Sequence, residues 1–341
     1  MKISAVIPTR NRASHIRILL ENLQNQTYAL SEIIIIDSSD DKRYKDNLLR
    51  SFFSLPITWI DSEASVCVQR NKGIRAASSP WIFLCDDDIT IPKDYIEQLV
   101  SFITGHPECS SVTGLFMQHE NNEWVHSYPF HNFRSLLWAY IFQLSVWGSV
   151  DNLKVNKILK PLYKYLCRYY KNRGNTMSDA GWPMMTQFDK PYFTTSTYSL
   201  GSNLVKKEWL ENSPYEEVLD ANGYGDNYGV ALGFPMKQNI YVTHQTHAYN
   251  GKAIENRLDN SIAYFRRLLA LHFFISTRKQ FSVKNRIWFI WSLIGNQILF
   301  VFKKKSKMAR ANYKAIKLII RNRNPYLLAS KRGERIIKPT F

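Results

Sequence analysis

Apolar and polar positions along the first hundred residues follow two alternating periods. "ISAVIP" is a short apolar run, and Ile16, Leu19, Leu20 and Leu23 follow at i, i+3, i+4 and i+7. This predicts a strand and then a helix with one buried face. "EIIIID" is a continuous β-branched run, as expected for a strand covered on both faces. "ITWID" predicts another strand, "VCVQRNKGIRAA" a helix, "WIFLCDDD" a strand, "PKDYIEQLVSFI" a helix opening on proline, and "SSVTGLFM" one more strand. The βαβ alternation predicts an α/β chain with a doubly wound, mostly parallel sheet and flanking helices. Ligands of such sheets bind beyond the carboxyl ends of the strands. Those ends carry Pro8-Thr9-Arg10-Asn11, Asp37-Ser38-Ser39-Asp40-Asp41 and Asp86-Asp87-Asp88.

The pattern is less regular beyond residue 125. Residues 135–147 are almost wholly apolar but short for a bilayer span. Lys154, Lys157, Lys160, Lys164, Arg168 and Lys171 then line one helical face opposite Ile158, Leu162, Leu166 and Tyr169, with Pro161 expected to kink or restart the helix. Residues 174–203 and "NGYGDNYG" (222–229) read as loops, and "IYVTHQTH" as a strand ending in His244 and His247. The apolar run 287–302, bounded by Arg286 and Lys303-Lys304-Lys305, reads as an interfacial helix.

Charge sharpens this division. Residues 256–341 hold 20 of the 45 Lys and Arg but only two acids, Asp259 and Glu334; residues 1–255 are nearly neutral. The expected organisation is two halves of a catalytic body, 1–125 and 126–255, followed by a basic helical extension, 256–341, that seeks an anionic membrane surface. Its long apolar runs argue against nucleic acid as the partner. The chain opens on a strand without a secretory leader pattern, and Cys67, Cys85, Cys109 and Cys167 form no metal or disulfide pattern. Both features predict a cytoplasmic protein, peripheral at the inner face of the membrane.

Three adjacent aspartates after a strand are either a charged turn or a site for a divalent cation. An Asp-x-Asp pair suits Mn²⁺ or Mg²⁺ that also takes diphosphate oxygens. Gly-rich phosphate loops of nucleotidyltransferases are missing from "VIPTRNRASH". The ordered set "VIPTRNR", "IIIIDSSDD", "RNKGI" and "FLCDDDI" resembles the family 2 glycosyltransferases, clearly over residues 1–120 and more thinly over 195–250.

The resemblance implies a GT-A fold and transfer of a sugar from a nucleotide-diphospho-sugar to a glycan or lipid-linked acceptor, with inversion. It implies that Pro8, Thr9, Arg10 and Asn11 line the nucleotide pocket and that Asp37 accepts a bond from the base. Arg70 and Lys72 would lie near ribose or diphosphate, Asp86 at the ribose with Asp87 beside it, and Asp88 on the metal. It also makes Asp226 the candidate base, although Gly225 and Tyr228 stand where acids are usual; Glu216, Glu217 and Asp220 compete with it. His247 or His244 would be a further metal ligand. Gly201-Ser202-Asn203 resembles the stretch beside the acceptor pocket. An inactive protein of the same fold is the alternative.

Overall fold

Four parallel strands come first: β1 (Ile3–Thr9), β2 (Glu32–Asp37), β3 (Ile57–Asp61) and β4 (Trp81–Cys85), in the spatial order β3-β2-β1-β4. Helices α1 (Ala13–Gln24), α2 (Lys45–Ser51) and α3 (Val66–Ala76) connect them. The computed structural model describes residues 1–236, 239–251, 253 and 255–341. β1 and β4 are buried along their whole length, and β2 from Ile33 onward. Their near-continuous apolar runs are what a sheet covered on both faces requires. Gly73 of α3 lies so close to Val6 and Ile36 that a Cβ would collide with both side chains. The helix therefore packs tightly over the β1–β2 rungs.

The chain continues through β5 (Ile89–Thr90), α4 (Tyr95–Gly105), β6 (Ser111–Glu120), β7 (Glu123–Val125), α5 (Phe133–Ile141), β8 (Val146–Trp147) and α6 (Lys160–Arg173). Pro161 stands in the first turn of α6, so that helix starts at the proline instead of kinking. β9 (Met184–Met185), β10 (Tyr192–Thr195), β11 (Ser202–Lys206), α7 (Lys207–Asn212), α8 (Asp226–Ala231) and β12 (Ile240–Asn250) follow. The sheet extends past β4 as β11-β6-β12-β10, with β11 antiparallel to both of its neighbours and β12 parallel to β6. The region 174–203 predicted as a loop thus contains β9 and β10 and leads directly into β11, the strand that joins the two halves of the sheet. "SNLVK" lacks strand periodicity because its polar Asn203 is buried, accepting a bond from Ser111 Oγ at 3.0 Å. The predicted loop 222–229 likewise turns into α8.

The carboxyl ends of β4, β6 and β12 and the amino end of β11 share one sheet edge, where Ser202 pairs with Cys85 and Phe116 with Ala248.

The basic C-terminal segment forms α9 (Asn260–Thr277), α10 (Val283–Phe302), α11 (Ser306–Ile320) and α12 (Pro325–Lys331). It was expected as an appendage, yet α9 is a core helix, with Phe265, Leu268, Leu269 and Phe274 fully buried. The terminal residues run back over the body. Ile336 and Ile337 N–H donate to Glu217 and Val218 carbonyls at 2.8 and 3.1 Å, Arg335 pairs with Glu217 and Glu63, and Phe341 packs on Phe265. The boundary predicted at 255/256 consequently separates no independent body. Among the described residues, no helix is long and apolar enough to cross a membrane.

Candidate active site

The three aspartates leave β4 at the middle of the sheet, and each is held differently. Asp87 is buried; it accepts from Thr9 Oγ1 at 2.8 Å and from Arg12 Nη1 at 2.6 Å. Burial pushes its carboxyl up to about 6, with Asp88's charge adding and Arg12 opposing. Asp88 accepts from the Ala253 N–H at 3.2 Å and the Asn250 amide at 3.4 Å, with Arg12 and Arg257 each 3.8 Å away. Its carboxyl is also raised, by burial and then by Asp86. Asp86 is the most open of the three, and one of its oxygens pairs with Arg70.

Arg70 is the hinge of the site. Its other nitrogen pairs with Asp226, and its guanidinium lies 5.0 Å from the Tyr215 ring centre. Burial opposes its charge, but Asp86 and Asp226 outweigh that and hold its pKa well above the ordinary value. One buried cation therefore ties a carboxylate after β4 to a carboxylate at the start of α8. Gly225, at φ +96°, makes the turn that delivers Asp226. Asp226 also accepts from the Asn227 N–H at 2.6 Å, and burial raises its carboxyl to about 6 against the pull of Arg70.

These groups line a cleft of about 470 Å³ together with Pro8, Thr9, Arg10, Asn222 and Asn227. The structure thus brings together Pro8, Thr9, Arg10, Arg70, Asp86, Asp87, Asp88 and Asp226. Asn11 sits at its rim, bonded to Ser39 and Asp40. Asp37 is fully buried beside it, accepting from the Ser39 N–H and the Tyr44 hydroxyl, each at 2.8 Å.

Two predicted residues are not brought in. Lys72 points to the Asp61 carbonyl on the far side of α3. His247 does not join the aspartates. A register shift between Thr243 and His247 moves it, and it lies with His126 and His244, whose protonated forms burial and the other imidazoles disfavour. Asn250, three residues on, is the β12 side chain that reaches Asp88.

The competitors for Asp226 are engaged elsewhere. Glu216 pairs with Arg278, Glu217 with Arg335 and the Asn71 amide, and Asp220 with Arg266 and the Tyr326 hydroxyl.

Four of the cleft residues that sequence reasoning missed bear directly on the site. Arg12 binds two of the three aspartates, yet its position after "TRN" gives no sign of this. Gln69 donates to the Thr9 and Ile36 carbonyls, fixing two strand ends at 2.8 and 2.7 Å. Arg266 and Lys338 also line the cleft. Arg266 Nε donates to the Pro339 carbonyl at 3.1 Å, so α9 holds the terminal residues against the cleft wall.

The donor set fits a divalent cation of the Mg²⁺ or Mn²⁺ kind. Asp86 and Asp88 offer carboxylate oxygens, and among the described residues their counter-charges within 4 Å are arginines. The raised carboxyls at positions 87 and 88 are the mark of negative groups held too close in a poorly solvated place. Among the described residues, no cluster of three or more His, Cys, Asp or Glu could hold a metal by itself. That agrees with a cation that takes one or two carboxylates and completes its shell with phosphate and water.

Residues 4–161 match the family described as glycosyl transferase family 2. An uncharacterised glycosyltransferase of Haemophilus influenzae is 28% identical over 112 residues, 32% of this chain and 37% of that protein. The chain therefore aligns with little more than a third of that relative's length. Among solved structures, S. aureus TarS 1-349 in complex with UDP-GlcNAc superposes with a TM-score of 0.53 at 14% identity, covering 98% of this chain and 93% of that one. GalNAc-T7 with UDP, GalNAc and Mn²⁺ gives 0.51 at 12% identity, over 80% and 47%. At these identities the superpositions speak for the fold alone. The ordered strand-end motifs, the matched N-terminal region and the shared architecture agree: residues 4–161 are similar to glycosyl transferase family 2, and the chain has the GT-A fold.

Proposed function

We propose that this chain is an inverting, metal-dependent glycosyltransferase that takes a sugar from a nucleotide-diphospho-sugar to a hydroxyl of a glycan or lipid-linked acceptor, in cell-surface polysaccharide synthesis. One observation carries the reading: Arg70 joins Asp86 and Asp226 across a single cleft. Donor-side and base-side carboxylates are thereby held at a fixed separation before any substrate arrives.

The strand-end residues Pro8, Thr9, Arg10 and Asn11 form the nucleotide wall, with Asp37 behind them. Asp86 and Asp88 would hold Mn²⁺ or Mg²⁺, which supplies charge stabilisation to the departing diphosphate. Arg266 and Lys338 add positive charge to the cleft lining. Asp226 accepts the proton of the acceptor hydroxyl. That oxygen attacks the anomeric carbon, the bond from this carbon to the diphosphate oxygen breaks, and the electron pair leaves with the nucleoside diphosphate. A carboxyl near 6 is ionised at neutral pH yet basic enough for that task. TarS and GalNAc-T7, both bound to uridine nucleotides, favour a uridine donor.

The cytoplasmic face of a membrane is the proposed working place. α10 turns one face to the core through Phe289 and Leu293, and Gly295 packs on Phe142. Its other face exposes Ile287, Trp291, Ile294 and Phe302, the last 81% exposed, beside Lys303, Lys304 and Lys305. Ile158, Leu162 and Tyr165 are exposed among the lysines around α6. Apolar ridges bordered by cations suit anionic lipid better than nucleic acid.

The direct test incubates the chain with UDP-, GDP-, dTDP- and CMP-sugars, with and without Mn²⁺, and measures nucleotide release. Metal-dependent release from one donor, lost in Asp226→Asn, supports the reading. No release from any donor, or equal release by the variant, refutes it.

A further inference from the structure

A second cavity lies at the β6 side of the sheet, away from β1, β2 and β3. It encloses about 230 Å³ and is lined chiefly by Gln118, His126, Tyr128, Trp147, Tyr198 and Ser199. Two short paths through the backbone and its hydrogen bonds connect it to the cleft. Gln118 is the rung partner of Asn250, whose amide reaches Asp88. Ser199 lies two residues before Gly201, whose carbonyl accepts the Asp86 N–H at 2.9 Å. Gly201 is itself so close to the Asp86 carboxylate that a Cβ would collide with it. The cavity wall and the aspartates are therefore parts of one rigid edge.

The lining is aromatic and fixed. Trp147 stacks on Tyr198 with centroids 5.6 Å apart and planes 17° from parallel, and its indole N–H donates to the His126 carbonyl at 2.8 Å. Tyr198 OH accepts from the Phe116 N–H at 3.1 Å. Tyr128 stands at the rim, 43% exposed, with its hydroxyl bonded to Gln118 and Glu120. The rings are thus locked in place while amide, hydroxyl and imidazole groups border the same space.

We propose that this cavity is the subsite for the acceptor's terminal sugar and that it binds one pyranose ring against Trp147 and Tyr128. The proposal rests on the transferase reading above. A pyranose presents an apolar C–H face and a rim of hydroxyls, which matches ring faces edged by polar groups. The volume equals roughly eight waters of liquid, room for one six-membered ring but not for a nucleotide. An acyl chain would set apolar surface against the Gln118 amide, the Tyr128 hydroxyl and the His126 imidazole.

The test is saturation-transfer NMR on the full chain with methyl β-glycosides of glucose, galactose and N-acetylglucosamine. It is run on wild type, Tyr128→Ala and Trp147→Leu, with UDP and Mn²⁺ binding and thermal melts measured alongside. The expected result is transfer to the ring C–H protons of at least one glycoside. That signal falls several-fold in Tyr128→Ala, the exposed position least able to disturb folding, while UDP binding stays unchanged. Absence of signal from every glycoside in wild type overturns the proposal, as does a signal of equal size in both variants. Failure of wild type to bind UDP would count against the donor site instead, and the glycoside result would still be scored independently.

Discussion

Replacing Asp226 with asparagine should remove activity and stabilise the fold. The carboxyl is buried, and its pKa rises from 3.8 to about 6 despite the attached Arg70. Folding therefore favours the protonated, neutral form. Below pH 3.8 the group costs nothing, and the cost grows as pH rises until it levels above about 6. The gap between the two values, at about 1.4 kcal/mol per pKa unit, makes the ionised carboxylate cost about 3 kcal/mol above pH 7. An asparagine keeps the shape and an oxygen for Arg70 without the charge. The variant should then be about 3 kcal/mol more stable than wild type at pH 8 and gain only about half of that at pH 5, to order of magnitude. Turnover should fall by roughly 10²–10⁴ with the loss of a general base. Urea melts at pH 8 and pH 5, paired with a transfer assay, measure both. A variant less stable than wild type at pH 8, a gain that does not depend on pH, or turnover within tenfold of wild type would each refute the reasoning.

Other outcomes follow from the same geometry. The wild-type transfer rate should rise with pH up to about 6 and then level, because Asp226 must be ionised to accept a proton; a profile flat from pH 5 to 8 contradicts that role. Lys338 is exposed, lines the cleft and has no ion-pair partner among the described residues. Lys338→Ala should weaken donor binding about tenfold, as loss of one charged contact does, leave the melting temperature unchanged, and be rescued by Lys338→Arg. The chain should co-sediment with vesicles rich in phosphatidylserine, each nearby lysine adding about 1 kcal/mol, and Ile287→Asp with Phe302→Asp should release it. Equal binding by that double variant would remove α10 from the membrane surface.

Much of this site was legible because strand ends announce themselves. Apolar runs that stop at "PTRN", "DSSDD" and "DDD" must place those polar groups at the edge of a buried sheet. Asp226 was legible as the lone acid in a glycine-rich stretch, and the structure adds the reason it matters, its shared guanidinium with Asp86. Other features depend on long-range packing that no local pattern records. Arg12 swings onto the aspartates after Asn11 adopts a left-handed φ of +53°. His247 was assigned by its place at a strand end, but a register shift inside β12 puts Asn250 there instead. Lys72 shares α3 with Arg70, and two residues along a helix turn a side chain to a different face.

The basic tail misled most. Its charge suggested a separate module, but Glu63, Glu216, Glu217 and Asp220 of the body are paired with its arginines. Net charge counted by segment cannot reveal pairs that form only in the fold.

The most direct measurement is calorimetric binding of UDP and GDP, with and without Mn²⁺, to wild type and Asp88→Ala. The account predicts that a nucleoside diphosphate binds wild type tightly only with the metal, and that Asp88→Ala abolishes the metal-dependent part while the protein stays folded. Binding that ignores the metal, or survives intact in Asp88→Ala, would contradict the assignment of the three aspartates as a metal-diphosphate site.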